Sequence, residues 1–236
     1  MSTVLDVLTD EGKECFGYYE SLAVENGMTQ DQVENFTRGL YIPLPWAIPF
    51  HAAARKADVF GSPNLILSGG ARGPGKTHAT LAQVGLDDCQ RYPGLKYLFL
   101  RKIQKSAKES FDDIVLGVFK HIKLSYTQSP GRLKFPNGSR ILLGGFNNES
   151  DIDNYLGIEY DGIAIEEGSQ LSERKIEMLL GSLRSSKPGW RVRVYMTTNP
   201  GGIGHKYMRD TFIKPYLSGV ETRTRFFPST WKDNPY

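Results

Sequence analysis

Nowhere in the 236 residues is there a run of the roughly 18 apolar positions that a membrane-spanning helix needs, so no membrane partner is expected. Residues 1–10 are acidic and carry no basic start, which argues against a secretory leader. Cysteine is scarce: Cys15 and Cys89 are too few for a disulfide framework, lack the spacing of a metal site, and read as two reduced thiols of a cytosolic protein. Charge of one sign is nowhere concentrated. The net +3 is spread along the chain, which permits a nucleic-acid partner without demanding one. There is no internal repeat and no low-complexity tract. With 39% hydrophobic and 23% charged residues, the chain suits one large globular domain, or one domain with a short appendage.

What remains is an alternation of short apolar runs with helical spacing. Residues 1–42 are polar and mixed, predict a helix at Gln30–Arg38, and read as an N-terminal extension. Pro43, Pro45 and Pro49 punctuate an extended stretch leading to a helix at residues 50–59. Strands are predicted at 64–68, 97–100, 162–165 and 192–197, with a final one at 222–227. Helices are predicted at 76–91, 106–121, 172–185 and 206–213. Asn137-Gly138 between two apolar runs, 133–135 and 140–143, predicts a hairpin. Strands and helices in this order imply a mainly parallel sheet covered by helices on both faces, whose ligands bind at the carboxyl ends of the strands.

Three motifs fall at such ends. Gly70-Ala71-Arg72-Gly73-Pro74-Gly75-Lys76-Thr77 fits the phosphate-loop pattern between a strand and a helix. Its glycines allow backbone N–H groups to face phosphate, the helix start adds a positive dipole end, Lys76 would neutralise β/γ-phosphate charge, and Thr77 would ligate Mg²⁺. Arg72 would reach a phosphate, reach a neighbouring subunit, or be merely solvated. Glu166-Glu167 follow an apolar strand directly. Glu166 is assigned to the metal and Glu167 to polarising the attacking water. Thr197-Thr198-Asn199 ends another strand; the trio would sense the γ-phosphate or be simply a turn, and Pro200-Gly201-Gly202 would let the next segment move.

The order of these elements resembles the N-terminal ATPase domain of phage large terminases, the motors that package viral DNA. The resemblance rests on Gly69 to Thr77, on Leu156-Gly157-Ile158-Glu159-Tyr160 running into Ile165-Glu166-Glu167, on Arg184 with Ser185, on Thr197 to Gly202 with Gly204-His205, and on the closing Ser229-Thr230-Trp231-Lys232-Asp233-Asn234-Pro235. It covers residues 43–236, the expected P-loop ATPase domain. It implies a P-loop NTPase of RecA-like, three-layer α/β build in which the catalytic glutamate adjoins the metal-binding acid. ATP and Mg²⁺ would be the ligands, with His78 and Trp46 joining the loop in nucleotide binding and Thr197 to Asn199 coupling hydrolysis to movement. The partners would be double-stranded DNA, a small terminase subunit and the portal protein, with a ring of about five copies around the DNA. The setting would be the host cytoplasm during virion assembly, not the mature virion. The family's C-terminal nuclease is not expected within this sequence.

Departures from the family pattern narrow the expectations. Trp46 is followed by Ala47 where the family offers glutamine near adenine, and Glu166 stands where the usual residue is aspartate. Where some members place an arginine just before the glycine at Gly157, this chain has Leu156. Arg184 is then the first candidate for a catalytic arginine acting on a neighbour's site, with Arg132 and Arg140 behind it. Arg101, Lys102, Lys105 and Lys108 would either contact DNA phosphates or form one solvated face. Two alternatives stand beside a packaging ATPase. One is another nucleic-acid translocase of helicase type, which would normally need a second RecA-like domain. The other is a nucleotide-dependent switch with little turnover.

Overall fold

A computed structural model describes residues 9–102, 108–129, 131–220 and 222–234. Eight strands form one sheet in the order β3-β4-β5-β2-β6-β7-β1-β8. They are β1 (Leu65–Gly70), β2 (Lys96–Lys102), β3 (Ser125–Thr127), β4 (Arg132–Lys134), β5 (Arg140–Phe146), β6 (Gly162–Ile165), β7 (Arg193–Thr198) and β8 (Thr224–Ser229). The six from β5 to β8 run parallel; β3 and β4 add an antiparallel edge, with β4 and β5 forming the hairpin around Asn137-Gly138. The short β3 carries no apolar run, and its pattern alone does not announce it.

Strand residues alternate between two cores, as the period of two requires. Ile66, Tyr97, Phe99, Ala164, Tyr195 and Phe227 face one core; Leu65, Leu67, Leu98, Leu100, Ile163, Ile165, Val194, Met196 and Phe226 face the other. This is the three-layer, RecA-like P-loop build. The first face is covered by α1 (Asp10–Glu25), α2 (Gln30–Arg38), α3 (Ala47–Lys56), the helix through residues 76–91 and α6 (Lys108–Phe119). The second is covered by α7 (Glu173–Leu180) and the helical stretch that opens with α8 (His205–Met208) and closes with α9 (Lys214–Leu217), together with a 3₁₀ turn at Glu149–Tyr155.

Several boundaries shift for local reasons. α3 begins before Pro49, whose fixed φ is tolerated in a first helical turn. α7 stops at Leu180 rather than 185 because the chain then re-enters the sheet margin, Leu183 bridging to Tyr160. α1 comes as an addition, capped by Thr9, whose hydroxyl accepts from Gly12 N at 3.2 Å. Phe16, Tyr19 and Ala23 of α1, with Val33 and Phe36 of α2, are buried in the same core as the sheet's first face. The helix at 76–91 is one rod made of α4 (Lys76–Ala82), a π-helical turn at Gln83–Asp88 and α5 (Cys89–Arg91).

Candidate nucleotide site

β7 lies between β1 and β6, so the end of β7 stands between the phosphate loop and the two glutamates. All of these ends open on the same margin of the sheet. The loop is clamped from β8: Ala71 N donates to Ser229 O at 3.2 Å, and a Cβ on Gly70 would sit 1.9 Å from that oxygen. Only glycine fits there. The closing segment adds Asn234, whose Nδ2 donates to Gly73 O at 2.7 Å. From the other side Trp46 Nε1 donates to Pro74 O at 2.8 Å, and Tyr41 stacks on His78 with centroids 5.5 Å apart. Gly73 and Gly75 take left-handed φ, +100° and +75°, turning the chain into α4 at Lys76.

Lys76 is buried, and its Nζ donates to Ala71 O and, at 3.1 Å, to Asn199 Oδ1. Burial draws its pKa down to about 8, against the opposing pull of the Glu166 and Glu167 charges. The Thr77 hydroxyl donates to Glu166 Oε1. The other oxygen of that carboxylate lies 3.2 Å from Arg101 Nε. Burial pushes the Glu166 carboxyl above its ordinary range; Arg101 and Thr77 pull it back, while the Glu167 charge adds to the rise. Glu167 holds a left-handed backbone, φ +52°, and its N donates to Thr197 Oγ1 at 3.1 Å. Its side chain lines a cleft with Arg72, Ser169, Gln170, Asn199 and Pro200.

Lys76, Thr77, Glu166, Glu167, Thr197 and Asn199 are therefore brought together. Thr198 is turned away, its hydroxyl donating to Asn199 O at 3.0 Å. Beyond Asn199, Gly201 stands in open space with φ +96°, whereas Gly202 and Gly204 are packed closely. A Cβ on Gly202 would fall 2.3 Å from Ser169 O, and Gly204 N donates to that oxygen at 2.9 Å. Arg184 is not brought to this margin. It follows the bridge to Tyr160 before the start of β6, stands exposed, and pairs with Glu159 at 3.7 Å. Arg140, at the start of β5, is also at the far end, and Arg132 is on the edge hairpin.

Two members of the basic cluster make contacts at this margin: Arg101 pairs with Glu166, and Lys102 Nζ donates to Gln170 Oε1 at 3.1 Å. Lys105, the Lys108 side chain and Pro235 lie outside the described residues. The motif reading missed Arg101, Gln170, Tyr41 and Asn234. Arg101 lies within β2, next to the strand that leads to Glu166, an adjacency that only the sheet order reveals. Among the described residues no group of three or more His, Cys, Asp or Glu side chains gathers as a metal cluster. A hydroxyl and one carboxylate are the donor set of a site that shares Mg²⁺ with substrate phosphates and water, so the residues present fit that ion.

A family model for the phage terminase large subunit matches residues 64–236. The PBSX phage terminase large subunit of Bacillus subtilis is 30% identical over 121 residues, 49% of this chain and 27% of the relative. Among solved structures, the large terminase of the thermophilic bacteriophage D6E superposes with a TM-score of 0.61 at 16% identity, over 80% of this chain and 46% of that one. A variant of the Thermus phage P74-26 large terminase ATPase domain gives 0.58 at 14%, over 84% and 85%. The D6E protein has also been seen in complex with ATP-γ-S. The chain thus spans less than half the length of the PBSX and D6E proteins, and by its family match it belongs to the phage terminase large subunits.

Proposed function

We propose that this chain binds ATP with Mg²⁺ at the carboxyl ends of β1, β6 and β7 and hydrolyses it, and that in the whole terminase this turnover drives double-stranded DNA into a viral procapsid. The observation that carries the reading is the convergence on one margin of two hydrogen-bonded pairs, Lys76 with Asn199 and Thr77 with Glu166, with Glu167 beside them. The nucleotide complex of the similar D6E terminase supports it.

In this reading the loop amides and the start of α4 hold the β-phosphate. Lys76 exchanges its contacts with Ala71 and Asn199 for phosphate oxygens. Thr77 and Glu166 would hold Mg²⁺, which supplies charge neutralisation on the β- and γ-phosphates. Glu167, fixed through its backbone to Thr197, orients the attacking water in the cleft and accepts its proton. Arg72, on the wall of that cleft, is aimed at the γ-phosphate. Trp46, held to the loop at Pro74, offers its ring to the base; Ala47 leaves no side chain amide for adenine. Asn199 loses its bond to Lys76 when phosphate arrives, and the loop at 199–204 passes that change to the loop at 168–171 packed against it. A ring of about five subunits on the portal protein, fed DNA by a small terminase subunit in the host cytoplasm, is the assembly in which this would act.

Steady-state ATP hydrolysis, measured across protein concentration with and without double-stranded DNA, tests the reading. Turnover per subunit that rises with concentration or DNA and vanishes in Lys76→Ala is expected. Turnover indifferent to both would speak for a self-contained ATPase. ATP bound without turnover under any condition would leave the chain a switch.

A further inference from the structure

Glu166 is one methylene longer than the aspartate usual at its position, and a longer side chain has an additional torsion to fix before its oxygens point one way. The sheet supplies a hold. Leu100 pairs with Ile165 in the β2–β6 register, and the ladder runs one step further, with Glu166 N donating to Leu100 O at 2.8 Å. That extension brings Arg101 and Glu166 side by side. Arg101 Nε lies 3.2 Å from Glu166 Oε2, and the Thr77 hydroxyl bonds Oε1. The Arg101 side chain is 23% exposed and that of Glu166 8%, so water competes little for the pair.

We infer that Arg101 is a positioning residue for the magnesium side of this site: it grips one oxygen of Glu166 so that the other is presented beside Thr77. The inference rests on reading Glu166 as the carboxylate of the metal. Arg101 touches neither nucleotide nor reacting water; its effect passes through Glu166. Removing such an outer partner weakens metal binding while leaving the phosphate loop intact.

The test is binding of a fluorescent ADP analogue, mant-ADP, by the 236-residue chain, first in EDTA and then across added magnesium chloride. In EDTA, Arg101→Ala should bind within about twofold of the unaltered chain, whereas the magnesium concentration for half of the metal-dependent tightening should rise about tenfold. Arg101→Lys, which keeps the charge but not the guanidinium Nε that faces Glu166, should fall between. In a Glu166→Gln background, Arg101→Ala should add no further shift, because both changes break one link. An unchanged magnesium midpoint in Arg101→Ala overturns the inference, as does a full additional shift in the Glu166→Gln background. Loss of binding already in EDTA also overturns it, by assigning Arg101 a structural role. An unaltered chain that gains nothing from magnesium, or a Lys76→Ala chain that binds as well, brings down the reading of the whole site and the inference with it. That failure is distinguishable from one confined to Arg101.

Discussion

Glu167 carries its carboxylate on a left-handed backbone, a conformation that glycine adopts freely and other residues do not. The strand β6 ends at Ile165, and the left-handed step at Glu167 turns the chain sharply so that its amide meets Thr197 Oγ1 and its side chain enters the cleft. Strain kept at such a position is expected to trade stability for placement of the side chain. Two substitutions separate the two effects. Glu167→Gln keeps the strain and removes the base; nucleotide binding should persist while turnover falls by about 10²- to 10⁴-fold. Glu167→Gly also loses turnover, but relieves the backbone. Against Glu167→Gln it should be more stable by about 1 kcal/mol, or about 3 °C in Tm for a chain of this size. Equal melting temperatures for the two variants would mean that the left-handed turn stores no strain.

At the scale of elements, the helix behind the phosphate loop is tied to α2 and α3 by a buried polar network rather than by apolar packing alone. A π-helical turn has more residues per turn than an α-helix, so positions i, i+4 and i+5 share a face. Gln83, Asp87 and Asp88 are such a set, and all three are buried. Arg55 of α3 grips both Asp87 oxygens at 2.6 and 2.8 Å, and Asn35 and Gln32 of α2 reach the same carboxylate at 3.1 and 3.3 Å. Asp88 accepts from Tyr97 at 2.6 Å and Tyr195 at 2.8 Å. His51 bonds Gln83 Oε1 at 2.8 Å and the Tyr41 hydroxyl at 3.0 Å. An amide oxygen only accepts, so Nδ1 carries the proton, Nε2 accepts from Tyr41, and the ring is neutral. Burial draws the His51 pKa from 6.5 down to about 4. The unfolded chain therefore takes up a proton between those values that the folded chain refuses. Stability that is full above pH 6.5 is lost as pH falls towards 4, by at most about 3 kcal/mol. Urea unfolding of the unaltered chain and of His51→Gln across pH 4–7 reads this directly: the difference between them should narrow towards acid, and a constant difference would rule it out. The same network shows why part of the molecule was hidden in the sequence. The central strands are legible because each alternates between two apolar cores, and the phosphate loop because its pattern is local; the exposed β3 is not. Nothing in the local pattern marks Gln83, Asp87 and Asp88 as buried, since most of their partners are distant in the chain: Gln32, His51 and Arg55 on preceding helices and Tyr195 on β7. Arg101 and Lys102 read as candidate DNA contacts for the same reason: Glu166 and Gln170 come to them only through the β2–β6 pairing.

At the scale of the whole molecule, the site on the carboxyl margin lacks an arginine from the far side of its own chain. Arg184 stands near the start of β6 and lines a shallow groove with Leu156, Gly157, Ile158 and Glu159. β6 alone spans four residues, about 13 Å at the rise of a strand, and separates the groove from Glu167 by at least that length. Within one subunit Arg184 cannot reach the cleft. Across an interface of the proposed ring it would, and it shares its groove with Leu156, the position before Gly157. Its partner Glu159 is as exposed as Arg184 itself, and the pair is long at 3.7 Å, so little holds the guanidinium in place and it is available to a neighbour. Mixing two inactive proteins tests this. Arg184→Ala and Glu167→Gln should each lose most of their DNA-stimulated turnover when assayed alone. In an equal mixture, an Arg184→Ala subunit supplies an intact Glu167 to an interface where a Glu167→Gln neighbour supplies an intact Arg184. With random assembly, about a quarter of interfaces combine the two, so the mixture should recover about a quarter of the unaltered turnover. A mixture no more active than the mean of its components would remove Arg184 as the residue acting between subunits and direct the search to Arg132 and Arg140 on and beside the edge hairpin.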